Sequence, residues 1–386
     1  YGAGIGIRLS NAIFSGMDLT QVTEGRTTIA VPCQNPDVPF PPGTAPVFYN
    51  SRMALNRDTT VLVIRQTTPH SYLDAMAASG IRGLRVGYET SVPITLNDKD
   101  PLAIDLITHN VKALDLDARI TCRDANSLMS DEKFGFVDLD PFGTPAPFID
   151  AAIRSSGKYL GVTATDTAPL CGAHLKAGIR RYMARPLNTE YHTEVGLRIL
   201  LGNVARHAAV YDKGVSPLFC YAHEHFVRLH LQLKSSASAA DRSIAQLGYI
   251  HQCPKCPYRM EEQRFFPGVH TCPFCGVPLT PTGPLWTGSI HDPDILAGMI
   301  MDADTFVAGD KAGLSKLLPV CRDEPDISFS YDYHKLGKFY RLSPGPIDVL
   351  LNRLRDKGYR AGRVHYSGYG IKTDAPLDEI RECLSP

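Results

Sequence analysis

Asp138-Leu139-Asp140-Pro141-Phe142-Gly143-Thr144-Pro145 is the stretch on which the reading of this chain turns. Phe134 to Leu139, leading into it, is a short apolar run that reads as a buried strand. The run ends abruptly in a carboxylate, two prolines and a glycine. In an open parallel α/β sheet, ligands gather just beyond the carboxyl ends of the strands. An acid, a proline carbonyl and an aromatic ring at that location suit a flat, polar, nitrogen-bearing ring. The same eight residues also fit an ordinary strand-to-helix turn, with Asp for solvation and Pro and Gly for geometry.

Upstream, the sequence has an α/β period. A strand ends at Asp74 and is followed by the small-residue stretch Asp74 to Gly83 and then a helix into Tyr88. Small residues let a backbone approach a ligand closely, although no Gly-x-Gly-x-x-Gly fingerprint is present. Pro93 to Asn97 reads as the next strand and ends in Asp98, about 20 residues past the loop, where a ribose hydroxyl pair is held in such folds. Leu102, Leu106, Ile107, Val111 and Leu114 repeat at helical spacing. Strands follow at Ala118 to Cys122, Phe134 to Asp140 and Lys158 to Thr165. Acids therefore stand at four successive strand ends, Asp74, Asp98, Asp124 and Asp140. One such acid is commonly a turn residue; four in register point to a nucleoside-containing cofactor held through hydroxyl and amine groups. Before this region, residues 1 to 50 read as irregular, with a strand at Thr28 to Val31 and a proline-rich loop over Pro36 to Pro46. Asn50 to Asp58 reads as a capped helix start whose basic residues also fit a solvated face.

Downstream, Pro217 to Tyr221 and Phe226 to Lys234 read as a hairpin. In the second strand Val227, Leu229, Leu231 and Leu233 alternate with Arg228, His230, Gln232 and Lys234, which predicts a half-exposed antiparallel pair. A parallel sheet finished by such a hairpin is the arrangement of the S-adenosylmethionine-dependent methyltransferase fold. Ser235 to Ala240 reads as a linker. Cys253-Pro-Lys-Cys256 and Cys272-Pro-Phe-Cys275 have the spacing of a zinc ribbon, with four thiolates closing a tetrahedron around a structural Zn²⁺. A redox dithiol is the alternative, and the absence of a thioredoxin-like βαβ unit argues against it. From Lys335 to Lys372 there are nine Lys or Arg against Asp348 and Asp356, so this window carries +7 in a chain of zero net charge. An amphipathic helix from Ile347 to Leu354 precedes a basic hairpin carrying Tyr359, Tyr366 and Tyr369. That order resembles a winged helix, and the basic, aromatic stripe fits a nucleic-acid backbone.

The totals agree. At 386 residues, 44% hydrophobic and 21% charged, the chain is of ordinary globular composition, with ample apolar content for two or three domains. No apolar run approaches the length that spans a bilayer, and no signal peptide is read at the start. Cysteine usage predicts a reducing, cytoplasmic setting.

With these pieces placed, the sequence resembles the tRNA (guanine(26)-N(2))-dimethyltransferase family. The residues that carry the likeness are Phe48 to Asp58, Leu73-Asp74-Ala75 with Ser79 to Gly83, Leu96-Asn97-Asp98, Asp138 to Gly143, and Gly161 to Asp166 with Pro169 to His174. The resemblance implies S-adenosylmethionine as methyl donor and tRNA as partner; the sequence itself calls for no membrane and no protein partner. It assigns Arg52 and Arg82 to the methionine end, Asp98 to the ribose, and Asp124 with Ala125 to the adenine edge. Asp140 is then the catalytic acceptor with the Pro141 carbonyl, and Phe142 stacks on the base. The expected architecture is a Rossmann-like class I methyltransferase domain with a terminal antiparallel hairpin, plus a smaller α+β part with a zinc ribbon and a winged-helix-like end. The expected borders are 1–50 for an N-terminal extension, 51–240 for the methyltransferase domain, 241–290 for the ribbon and 291–386 for the basic region. Two other readings fit some of the motifs: an amino-methyltransferase acting on another nucleic-acid base, and a non-catalytic zinc-ribbon RNA-binding protein.

Overall fold

The structure, a computed structural model, describes residues 18–33 and 46–384. The proline-rich loop expected over Pro36 to Pro46 lies, apart from Pro46, outside them. The chain forms two compact units. One takes residues up to 141, 150–162 and 297–316; the other takes 142–149, 163–296 and 317–386.

The first unit opens with a hairpin, β1 (Leu19–Glu24) and β2 (Thr27–Pro32), paired antiparallel around Gly25 at φ +61°. This corrects the irregular reading of residues 1–50. The segment Leu-Thr-Gln-Val-Thr-Glu carries too few apolar residues to announce a strand. The hairpin is held through β2 by Asn110, whose side chain bonds both the N–H and the carbonyl of Ala30. After α1 (Ala54–Thr67) comes the α/β series β3 (Tyr72–Asp74), α2 (Ile81–Thr90), β4 (Ile94–Asp98), α3 (Pro101–Ala113), β5 (Ala118–Cys122), α4 (Ala125–Asp131), β6 (Phe134–Leu139), α5 (Ile149–Ser155) and β7 (Ser156–Ala164). The strands are parallel in the order β5-β4-β3-β6-β7. Every residue of β6 is buried, as a strand covered on both faces requires. The order reverses between β3 and β6, the kind of switch point at which such sheets bind ligands. Helix α2 packs hard onto that point: a Cβ on Gly83 would lie 2.2 Å from Leu96 and 3.1 Å from Asp74.

The second unit holds the antiparallel hairpin β8 (Lys213–His223) and β9 (Phe226–Ser235). Within this unit the two strands are antiparallel, unlike the parallel strands of the first unit. The pair is not half-exposed. Arg228 and His230, expected on a wet face, are fully buried. Arg228 donates to Thr163 Oγ1 at 3.0 Å and to His230 Nε2 at 3.1 Å, while His230 Nδ1 lies 3.0 Å from the Phe219 carbonyl. The expected linker Ser235 to Ala240 instead runs into a helix, Ala237–Ile244, whose Ser243 hydroxyl is bonded to the backbone of Val215. The ribbon strands β10 (Leu247–Gln252), β11 (Arg259–Glu262) and β12 (Thr280–Trp286) pair in the order β11-β10-β12. The C-terminal part has helices Tyr333–Tyr340, Ile347–Asp356 and Leu377–Leu384. They pack with β13 (Tyr331–Asp332), β14 (Ala361–Val364) and β15 (Ser367–Thr373) around Leu336, Leu350, Leu354, Ile371 and Ile380. Helices followed by a hairpin wing are the winged-helix-like end that the sequence predicts.

Candidate active site and zinc ribbon

Three of the four strand-end acids are held in place by backbone donors. Asp74, the last residue of β3, accepts the Gly83 N–H at 3.0 Å. Asp98, the last residue of β4, accepts the N–H of Ala78 at 2.9 Å and of Asp100 at 3.0 Å. Asp124 caps α4, accepting the Ser127 N–H at 3.0 Å, so Ala125 is the first helical residue. Asn97 ties three of these ends together. Its Nδ2 donates to the carbonyls of Ala75 and Arg123, at 3.0 and 3.1 Å.

Asp140 follows directly on β6. Its Oδ2 is paired with Nη2 of Arg82, which is buried near the start of α2. Nη1 of the same guanidinium donates to Asn56 Oδ1 at 2.7 Å and Thr60 Oγ1 at 2.9 Å, both on α1. Burial works against the Arg82 charge, but Asp140 and Asp138 outweigh it and raise its pKa. Oδ1 of Asp140 has no hydrogen bond among the described residues, and the side chain is partly exposed. Asp74 differs. Burial pushes its carboxyl up; Arg82 opposes this, Asp138 reinforces it, and the net value is about 7. Arg52 sits on the exposed turn Ser51–Met53, while Arg57, read with it as one basic helix face, is buried against Glu24.

Beyond Pro141, Phe142 is 72% exposed. Gly143, at φ +78°, donates to Thr165 Oγ1 at 2.9 Å and accepts the Thr165 N–H at 3.0 Å. Thr144 Oγ1 lies 2.8 Å from the Tyr182 hydroxyl, which in turn donates to Asp166. The turn after β6 is therefore locked to the Gly161 to Asp166 block. Tyr182 and Arg181, the latter paired with Asp166, were not singled out in the sequence. Their only signal there is a short helix whose partner acid lies 15 and 16 residues earlier.

In the ribbon, Cys253, Cys256, Cys272 and Cys275 bring one Sγ each to within 4.8 Å of the others. Cys256 Sγ and Cys272 Sγ are 3.6 Å apart. Tight turns bond Cys253 N–H to the Tyr258 carbonyl and Cys272 N–H to the Val277 carbonyl, and the Lys255 N–H points at Cys253 Sγ. Four converging sulfurs with N–H···S support fit a tetrahedral Zn²⁺ with no open position.

Fold and strand-end chemistry together define a Rossmann-like α/β protein of the class I methyltransferase type. The family model for N2,N2-dimethylguanosine tRNA methyltransferase matches residues 25–385. A tRNA (guanine(26)-N(2))-dimethyltransferase of Methanospirillum hungatei JF-1 is 89% identical over 369 residues, covering 96% of this chain and all of that protein. The enzyme of the same name from Methanoculleus marisnigri is 57% identical over the same length, again covering 96% of this chain and all of that protein. The solved complex of Trm1 from Pyrococcus horikoshii with S-adenosyl-L-methionine superposes with a TM-score of 0.86 at 38% identity, over 95% of this chain and 100% of that one. The chain belongs to the N2,N2-dimethylguanosine tRNA methyltransferase family.

Proposed function

We propose that the chain methylates the exocyclic N2 of guanine 26 in tRNA, using S-adenosylmethionine, to give N2-methyl- and then N2,N2-dimethylguanosine. The observation that carries this reading is the 89% identity to a protein named for that reaction, spanning that protein's whole length. The cofactor supplies an electrophilic methyl group. Arg52 and Arg82 hold its methionine end, Asp98 its ribose, and Asp124 with Ala125 its adenine edge. The row of backbone-anchored acids supports these roles, because each carboxylate is oriented before any ligand arrives.

The N2 amine is a poor nucleophile because its lone pair is delocalised into the purine. Asp140 Oδ1 and the Pro141 carbonyl accept its two hydrogens, drawing the nitrogen toward tetrahedral geometry and freeing the lone pair. Asp140 takes the proton released as the new C–N bond forms. The Arg82 pair keeps its other oxygen fixed and its charge supported. Phe142, largely exposed, stacks on the base once it has left the helix. The four ribbon cysteines hold a structural Zn²⁺. As a division of roles, we assign residues 51–240 to methyl transfer, 241–290 to the ribbon and 291–386 to RNA contact, with 1–50 as an extension, in a cytoplasmic enzyme.

The test is transfer of labelled methyl to unmodified tRNA, followed by nucleoside analysis, beside the same tRNA with adenine at position 26. Label in dimethylguanosine with the first substrate and none with the second is the expected result. Label elsewhere, or equal transfer to both, refutes the assignment.

A further inference from the structure

A second group of metal-ligating side chains sits in the ribbon, apart from the four cysteines. His251 lies on β10, Glu262 closes β11, and His270 belongs to the loop between the cysteine pairs. One ligand atom from each lies within 4.8 Å of the others. His251 Nε2 is 2.8 Å from Glu262 Oε2, and His270 Nε2 is 3.1 Å from Glu262 Oε1. The two imidazoles stand at 81° with centroids 4.5 Å apart, both directing Nε2 at one carboxylate.

Hydrogen bonding accounts for only part of this arrangement. The His270 contact lies off the direction an N–H would take, so that buried Nε2 has no hydrogen-bond partner among the described residues. The His251 side chain is 1% exposed, and its Nδ1 also has none. Two ligands of a tetrahedral ion with bonds of about 2.0–2.1 Å stand roughly 3.3 Å apart, so spacings of 2.8 and 3.1 Å need only small outward shifts to admit one. The backbone leaves the room. A Cβ on Gly268 would lie 2.7 Å from His270 Nε2 and 2.9 Å from Glu262 Oε1. The Gly268 N–H meanwhile fixes Glu262 Oε2 at 2.8 Å. Arg264, 3.5 Å from Glu262 Oε1, is on an exposed side chain and does not close the site.

We propose that His251, Glu262 and His270 form a second divalent-cation site, of the two-imidazole, one-carboxylate type that suits Zn²⁺, with its remaining coordination open toward the partly exposed His270. Bound there, the ion fastens the loop carrying the exposed Phe265 and Phe266 to the β10–β11 pair. The site is chemically distinct from the ribbon centre, having no sulfur ligand.

Cobalt(II) titration of the full metal-depleted chain separates the two. The first equivalent gives thiolate-to-metal charge transfer from the cysteine site. The second adds only weak visible d–d bands, with no further charge transfer. Metal analysis of the zinc-loaded chain gives two equivalents. Glu262→Gln, which keeps an acceptor for Gly268, and His270→Ala, at a partly exposed position, each drop this to one while leaving the charge-transfer band intact. A wild-type chain that saturates at one equivalent overturns the proposal. So does a second equivalent that persists in both variants.

Discussion

The strand ends of the first unit and the basic C-terminal segment of the second are both charged stretches, and they treat charge in opposite ways. The acids stay where the sequence puts them. Asp74, Asp98 and Asp124 stand at the carboxyl ends of parallel strands and are oriented by N–H groups of their own loop or the next helix, while Asp140 is held by the Arg82 guanidinium. The basic window does not keep its nominal +7 as a surface. Lys372 is buried between Glu194 and Glu324. Lys357 pairs with Glu379 and Glu382, Arg360 with Asp374, and Arg363 with Asp348. Lys335, Lys338 and Arg341 are exposed and have no carboxylate partner among the described residues, next to the exposed Phe339. Asp98, Asp124 and Asp140 stay at least partly exposed, whereas much of the charge along the helix and hairpin is answered by acids, from Asp374 and Asp348, 14 and 15 residues away, to Glu194, 178 residues away.

The comparison breaks first if Asp140 does not matter. Asp140→Ala would also strand the buried Arg82, so Asp140→Asn is the cleaner variant: it keeps an oxygen for the guanidinium but cannot take the proton. Methyl transfer should fall by about 10²–10⁴-fold, the range of general acid–base contributions, with tRNA and cofactor affinities little changed. A single-turnover rate near wild type would show that the acid serves only to hold Arg82.

How much was legible follows the same division. The β6 run, the strand-end acids and the cysteine spacing could be read because each is set within a few residues. The buried face of β9 could not, since the Thr163 that satisfies Arg228 lies 65 residues away. The lock of Thr144 and Asp166 through Tyr182 was missed for the same reason, as was the Glu194 that takes Lys372 across 178 residues. Hydrophobic alternation reports which way a side chain points, and not whether a distant partner will let it stay there.

The acids also differ among themselves, and pH exposes this. Asp74 has its carboxyl raised by burial, net of Arg82 and Asp138, from 3.8 to about 7. Unfolded, it loses its proton near pH 4; folded, it keeps it to about pH 7. Its contribution to stability is therefore complete below about pH 4, declines as pH rises to about 7, and is flat above, with a slope of at most about 1.4 kcal/mol per pH unit. Asp74→Asn keeps an oxygen for the Gly83 N–H and should remove that decline. Denaturant midpoints for both chains from pH 5 to 8 measure it, and parallel curves would mean that Asp74 is ionised in the fold.

The smallest expected effect is the one that sharpens the comparison most. Replacing Lys335, Lys338 and Arg341 together by Ala should weaken tRNA binding about tenfold and lower the salt slope of log K by roughly 2–3, since each unpaired cation that meets a phosphate releases a counterion. Replacing Lys357, Arg360 and Arg363 removes the same formal charge from the same window. Those three are engaged by carboxylates, so an RNA phosphate would have to displace an existing partner, and the counterion release is largely lost. Affinity should change less than about twofold and the slope by less than about 1. The two triple variants are equal by charge count and differ only in what the fold has done with the charge. If both lower the slope alike, the ion pairs open on binding and the linear count of the sequence describes the RNA surface better than the folded pairing does.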